Sequence, residues 1–351
     1  MTLNDIFAAI GVVINGIPQA LLAMAYGFLA FPTGLGFLLG AVACFVLQSA
    51  IPISMQAETI VLAGTMGRNL RERVSMIFFA GAIMAICGIT GLLSFVVNLA
   101  GERAINGMMA GVGIILARIA FMGFREKPRI TGVSSLTAIL TYFLSNQNLV
   151  YTIVVSVVIS SIYANFAKEV DSNVNIDNSR KLKLVKPIVN SQVIRGSLAL
   201  SCLTIGANIA FGNITASLGN ASTNVDHLTI YSGLADMISS IFGGAPVESI
   251  ISATGAAPNP INSGILMMII MAAIMFLGLL PKIGKFVPGE SIYGFLLVLG
   301  ALVTAPSNAS LAFAGATGIE VLLAGVPMAV TACTDPFYGL LAGILIKIFL
   351  I

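Results

Sequence analysis

Fourteen apolar runs, parted only by short polar or Gly/Pro breaks, take up most of this 351-residue chain. They fall at roughly 5–30, 34–52, 54–66, 74–99, 104–123, 132–145 and 148–167, and again at roughly 194–218, 227–244, 246–257, 263–281, 289–304, 308–325 and 327–350. A soluble domain carries about 25% charged residues to cover its surface. Here 9% are charged and 58% are hydrophobic. The chain is therefore read as an all-α integral membrane protein with about 14 transmembrane segments. The runs have the length of membrane helices and lack the alternation of ten-residue barrel strands. The 36 glycines suit helices that approach one another closely.

The remaining composition narrows the chemistry. The four cysteines, Cys44, Cys87, Cys202 and Cys333, lie inside apolar runs, and the single histidine is His227. That pattern predicts no disulfide, structural zinc, haem or other cofactor. No nucleophile–base set stands out, so a membrane enzyme is not expected. The net charge of +3 is scattered and leaves no footprint for nucleic acid. The start "MTLNDIF" lacks the basic segment of a cleavable signal peptide, and the expected location is a cell membrane of the bacterial inner or plasma type.

One hydrophilic stretch, residues 168–192, divides the runs into two sets of seven, at 1–167 and 193–351. The halves resemble each other. "INGIPQALLAMAYG" sits opposite "TIGANIAFGNITAS", bringing Gly16 over Gly206. "AETIVLAG" lines up with "VESIISAT", placing Glu58 on Glu248, and Gly101-Glu102 falls on Gly289-Glu290. An odd number of spans per half inserts the second half upside down, giving inverted repeats with the substrate site at paired broken helices near the midplane. The two short runs, 54–66 and 246–257, are too short to cross about 30 Å of hydrocarbon as regular helices and meet that description.

Lys and Arg follow the odd-numbered runs: Arg68, Arg71 and Arg73, then Arg125, Lys127 and Arg129, then the central loop, then Lys282 and Lys285. The positive-inside rule assigns those connections to the cytoplasm and places both termini outside.

A carboxylate inside the bilayer costs roughly 2.5–3.5 kcal/mol on insertion scales and persists where it is partnered or useful. Glu248, in "FGGAPVESI", is the leading candidate. Pro246 is expected in the first turn of a half-helix, where free N–H groups and the positive dipole end face a cavity. Glu248 could accept a hydrogen bond from a substrate or exchange a proton. Glu58 occupies the symmetry-related place, with Ser54 and Gln56 before it, and could instead cap its half-helix. Gln56, Ala57, Val247 and Ser249 flank the two carboxylates as substrate-site candidates. Asn208 and Asn213 put amides into an apolar helix, Asn208 as a substrate contact and Asn213, with Asp236 and Glu248, as a candidate for ion coupling. Thr254 could line the same cavity. Glu102 and Glu290 read as helix starts, Glu320 and Asp335 as structural, and His227 as an exposed loop residue.

"GLADMISSIFGGAPVESIISATG" resembles the nucleobase/ascorbate permeases, which share the form G-L-x-x-x-x-S-x-F-G-x-x-P before a substrate-binding glutamate. Here those positions are Gly233-Leu234, Ser239, Phe242-Gly243 and Pro246, with Glu248 as the equivalent glutamate. The resemblance implies two inverted seven-span repeats split into core and gate, and a base held between spans three, eight and ten with proton or sodium coupling. It also implies cytoplasmic termini, against the charge count, and an acidic residue where this chain has Asn208.

The expected activity is thus secondary transport of a nucleobase-like substrate (purine, xanthine or uracil) by alternating access. The alternative is an anion transporter of the same fold, as in the sulfate-permease relatives. It is ranked second because a carboxylate beside the site repels an anion. A homodimer through apolar gate helices is a further possibility.

Overall fold

The computed structural model describes residues 1–167, 182–218, 224–250, 252–284 and 287–350. In chain order, the first half comprises α1 (Leu3–Ala25), α2 (Ala30–Leu47), strand β1 (Ile53–Ser54), α3 (Ala57–Met66), α4 (Leu70–Thr90), α5 (Leu92–Ala100), α6 (Glu102–Glu126), α7 (Pro128–Leu144) and α8 (Leu149–Phe166). The second comprises α9 (Ser191–Leu218), α10 (Val225–Ser240), strand β2 (Glu248–Ser249), α11 (Pro260–Phe276), α12 (Leu279–Gly284), α13 (Tyr293–Leu297), α14 (Ala305–Phe313), α15 (Ile319–Cys333) and α16 (Pro336–Leu350). This is the 7+7 inverted-repeat transporter architecture of a multi-pass membrane protein.

Local chemistry sets the boundaries. Thr2 and Asp5 form a capping box at the start of α1, and the Asn69 side chain accepts from the Glu72 N–H to open α4. Gly91, at φ +67°, ends α4 in the left-handed region that glycine adopts without strain. Among the described residues, five helical stretches are long and apolar enough to cross a membrane: α1, α2, α4, α6 and the continuous stretch Gly289–Phe313.

That last stretch corrects the run boundaries near the C-terminus. The break expected near residues 304–308 is absent, because the helix passes through Pro306. The preceding turn, Val298–Thr304, is a π-helix, a wider winding that can absorb a proline's missing hydrogen bond. The chain turns instead at Gly315 and Gly318, at φ +60° and +56°, and breaks again between α15 and α16.

Segments 3 and 10 are both discontinuous. Segment 3 approaches as β1 and continues as the ten-residue α3. Segment 10 approaches as β2 and continues only as the single 3-10 turn Ala253–Ala256. The half-helix expected to begin at Pro246 is therefore not present. Residues 245–250 are held extended by side chains, and Pro258 and Pro260 follow too soon for a longer helix. The strands pair antiparallel, Ile53 with Ser249 and Ser54 with Glu248. Glu248 lies within β2, whereas Glu58 lies past β1 in the first turn of α3, so the two glutamates do not occupy equivalent places.

The chain forms two compact units. The first contains Met1–Leu92 and Ser172–Phe286, the second Leu93–Asp171 and Val287–Ile351, so each draws on both halves of the sequence. In the first unit α4 packs on α10 and α9, and α2 on α11 and α10. The α4–α10 crossing is close: a Cβ on Gly81 would lie 2.5 Å from the Gly233 carbonyl oxygen, and one on Gly233 would lie 2.5 Å from that of Gly81. In the second unit α6 packs on α15, α14 and the π-turn, and α7 on α8. Ser134 ties α7 to the Gly289–Phe313 helix, donating to the Ser291 carbonyl (2.6 Å) and accepting from the Gly294 N–H (3.0 Å).

Because neither backbone at the α4–α10 crossing can yield to a side chain, Gly81→Val is expected to destabilise the protein by about 1–3 kcal/mol. Gly11→Val, where nothing lies within 4 Å, is expected to be neutral. Thermal unfolding in detergent measures both.

Candidate functional site

The place where segments 3 and 10 meet lies inside the first unit. Extended backbone there has no helix to satisfy it, and side chains substitute. The Gln56 amide donates across to the Ser249 carbonyl. Asp236 accepts from the Val247 N–H at 2.7 Å, and Tyr231 donates to the Ile51 carbonyl at 2.6 Å. Ser239 donates to the Ala245 carbonyl (2.6 Å), while the Ala245 N–H donates to Thr33 Oγ1 (2.9 Å). Thr215 donates to the Ile250 carbonyl (2.8 Å) and accepts from the Ser252 N–H (3.0 Å).

Glu248 is 2% exposed. Its Oε1 accepts from Thr204 Oγ1 on α9 at 2.6 Å and its Oε2 from Thr59 Oγ1 on α3 at 3.0 Å. Asp236, on α10, is its neighbour, and Glu58 lies close enough to interact with it electrostatically. Three buried carboxylates thus share one region. Glu58 lies buried in the first turn of α3. Asn208 is engaged within the unit: its amide donates to Thr229 (3.2 Å) and Ser232 (3.5 Å) and accepts from Ser249 Oγ (2.7 Å).

The first turn of α3 keeps two backbone donors uncommitted. Gln56 is its N-cap residue but makes no side-chain cap, since its amide reaches across to Ser249. Among the described residues no acceptor meets the Ala57 or Thr59 N–H. On α1, Asn15 Oδ1 and Gln19 Oε1 are buried without a partner, and Gln19 is 9% exposed. Gly16, three residues before Gln19 and so on the same helix face, packs beside Ser54 of β1. A nearby cleft bordered by Phe28, Leu29, Met55 and Met275 is apolar and holds no charged group.

The other candidates separate from this group. The Asn213 side chain lies outside the described residues. Thr254 is buried against Ser252 (2.6 Å) on the 3-10 turn. Glu102 opens α6 and Glu290 lies in the 3-10 turn before α13. Glu320 pairs with Arg103 at 3.4 Å, and Asp335 accepts from the Phe337 and Tyr338 N–H groups at the start of α16. His227 is exposed but helical, in the first turn of α10, because Asn224 caps that helix and accepts its N–H (3.0 Å).

Thr59, Thr204 and Gln19 were not singled out from the sequence. Threonine is common in membrane helices, and nothing local marks the one that faces a carboxylate. Gln19 carried a signal, an amide one residue after Pro18 in an apolar run.

No family model matches the sequence, and no curated protein does. Solved structures do match. The transmembrane domain of a cyanobacterial bicarbonate transporter, BicA, is similar over 97% of this chain and 96% of its own, with TM-score 0.72 and 16% identity. Murine Slc26a9, an anion transporter in the inward-facing state, is similar over 99% of this chain and 68% of its own, with TM-score 0.72 and 14% identity. A further SLC26A9 structure gives TM-score 0.69 at 12% identity, and this chain spans 64% of its length.

These likenesses overturn the assignment to nucleobase/ascorbate permeases and, with it, the expected nucleobase substrate: the matched structures named here are anion transporters. The geometry explains why the motif misled. Gly243 sits at φ +92°, Gly244 has no room for a Cβ against Ser239 and Thr33, and Ser239 holds the Ala245 carbonyl. The motif positions are thus accounted for by the turn before β2.

Removing the Thr204 hydroxyl leaves Glu248 Oε1 buried without a donor. Thr204→Val is expected to cost about 1–3 kcal/mol, and Thr204→Ser to cost much less, read as thermal midpoints in detergent.

Proposed function

We propose that this protein is a secondary transporter of a small inorganic anion, of the SLC26/BicA kind, moving its substrate together with a cation. The observation that carries this reading is the fold likeness to a bicarbonate transporter's membrane domain over nearly the full length of both chains.

The anion is held by the uncommitted N–H groups of Ala57 and Thr59 at the positive end of α3 and by the Nε2–H group of the Gln19 amide, whose oxygen turns away from it. Helix N-termini favour negative charge through their free donors and dipole. Val247 and Ser249 carry the facing strand, while Gln56 and Asn208 are positioning residues that hold the two strands and α9 together. Glu58, Asp236 and Glu248 stand close by, and like charges in a poorly screened interior repel strongly. An anion therefore enters with at least one compensating cation, a proton or sodium ion, carried at Glu248 and Asp236. The carboxylates that ranked this reading second thus supply its coupling.

Purified protein in liposomes, offered labelled bicarbonate, chloride or sulfate under an inward proton or sodium gradient, is expected to accumulate at least one anion. Gln19→Leu is expected to reduce that uptake about tenfold, the loss of one charge-assisted hydrogen bond. Glu248→Gln is expected to leave residual uptake that no longer responds to the gradient. Uptake of none of the anions, or gradient-dependent uptake by Glu248→Gln at the parent rate, overturns the reading.

A further inference from the structure

Residues 182–190, "LKLVKPIVN", cross one end of the first unit as an extended strap. Four hydrogen bonds fasten it. The Val185 N–H donates to the Ile241 carbonyl at 2.8 Å and the Ile188 N–H to Ser75 Oγ at 3.0 Å. Arg71 Nε donates to the Lys186 carbonyl at 3.0 Å and Asn190 Nδ2 to Glu72 Oε1 at 3.2 Å. The strap thus lies beside the start of α4 and the end of α10.

Its outward face combines two kinds of side chain. Leu184 and Val189 are 54% and 68% exposed. Lys183 and Lys186 are exposed on either side of Leu184, and Arg68 and Arg71 are exposed beside the α4 N-terminus. Among the described residues these four cations form no ion pair; the one ion pair found there, Arg103–Glu320, is in the second unit. Glu72, the carboxylate in this neighbourhood, is buried and committed to the Arg68 N–H (2.9 Å) and to Asn190.

We propose that this strap and the start of α4 form a binding surface for anionic phospholipids. Lys183, Lys186, Arg68 and Arg71 meet the headgroup phosphate, and Leu184 and Val189 enter the acyl boundary beneath it. Free phosphate would satisfy the cations and leave the exposed leucine and valine in water, so charge and apolar surface together fit a lipid. Basic side chains at the surface of an anionic membrane each contribute about a fivefold gain in binding, and the strap is already ordered by its four bonds. This inference does not rest on the anion-transport reading.

The full chain in neutral detergent, titrated with short-chain phosphatidylglycerol, is expected to gain thermal stability saturably. Phosphatidylcholine and inorganic phosphate at the same concentrations are expected to give no such gain. The double variant Lys183→Gln/Lys186→Gln is expected to raise the half-saturating lipid concentration roughly 25-fold. Lys183→Arg/Lys186→Arg keeps the parent response, Leu184→Gln/Val189→Gln weakens it, and Arg125→Gln on the second unit leaves it unchanged. Equal stabilisation by phosphatidylcholine or by phosphate, or an unchanged response in the double glutamine variant, overturns the proposal.

Discussion

Two pairs of residues, Ile53-Ser54 and Glu248-Ser249, are the only described strands of this protein, and the rest of the first unit is arranged around them. Inside a bilayer an extended backbone survives only where protein supplies the hydrogen bonds that water would otherwise make. Two-residue strands supply few to each other, so helices must bring donors and acceptors to them. That demand places Tyr231 and Asp236 on α10, Thr215 on α9 and Thr33 on α2. The close crossing at Gly81 and Gly233 holds α10 against α4. Several buried polar residues of this chain are thus explained by an architectural need alone.

The same arrangement produces the electrostatic character of the site. A carboxylate at Glu248 is held by hydroxyls of Thr59 and Thr204, donors from two different helices. Neither donor carries charge, so the carboxylate is hydrogen-bonded without being neutralised. With Asp236 and Glu58 alongside, three buried carboxyl groups stand next to the positive end of α3. A transporter that accepts an anion in such a place gains from admitting a cation with it. The coupling in the proposed function follows from this juxtaposition.

Particular residues show what could be read without the structure. The fold class, the two broken segments and the burial of Glu248 were legible because apolar run length and the cost of a membrane carboxylate are properties of short stretches. The pairing of Glu58 with Glu248 was not. An offset near 190 matches the flanking letters, whereas the structure puts Glu248 inside β2 and Glu58 past β1 on α3. Only hydrogen-bond register fixes which residue faces which, and a one-residue slip reverses every side chain. The Gly-Gly-Ala-Pro motif was recognised as marking a site, but it was taken as a mark of substrate when it is a mark of backbone geometry.

By itself, the sequence determined that this chain must live in a membrane, that it folds as two related halves, and that segments 3 and 10 are broken. Those follow from hydrophobic free energy per segment and from the local conformational demands of glycine and proline. Tertiary structure alone decided that segment 10 continues as a 3-10 turn, that Glu248 is gripped by Thr59 and Thr204, and that Gln19 Oε1 and the Ala57 and Thr59 N–H groups are left without partners. Each depends on donors and acceptors far apart in the chain, 189 residues for Thr59 and Glu248. Packing brings them within 3 Å, and no local pattern encodes that meeting.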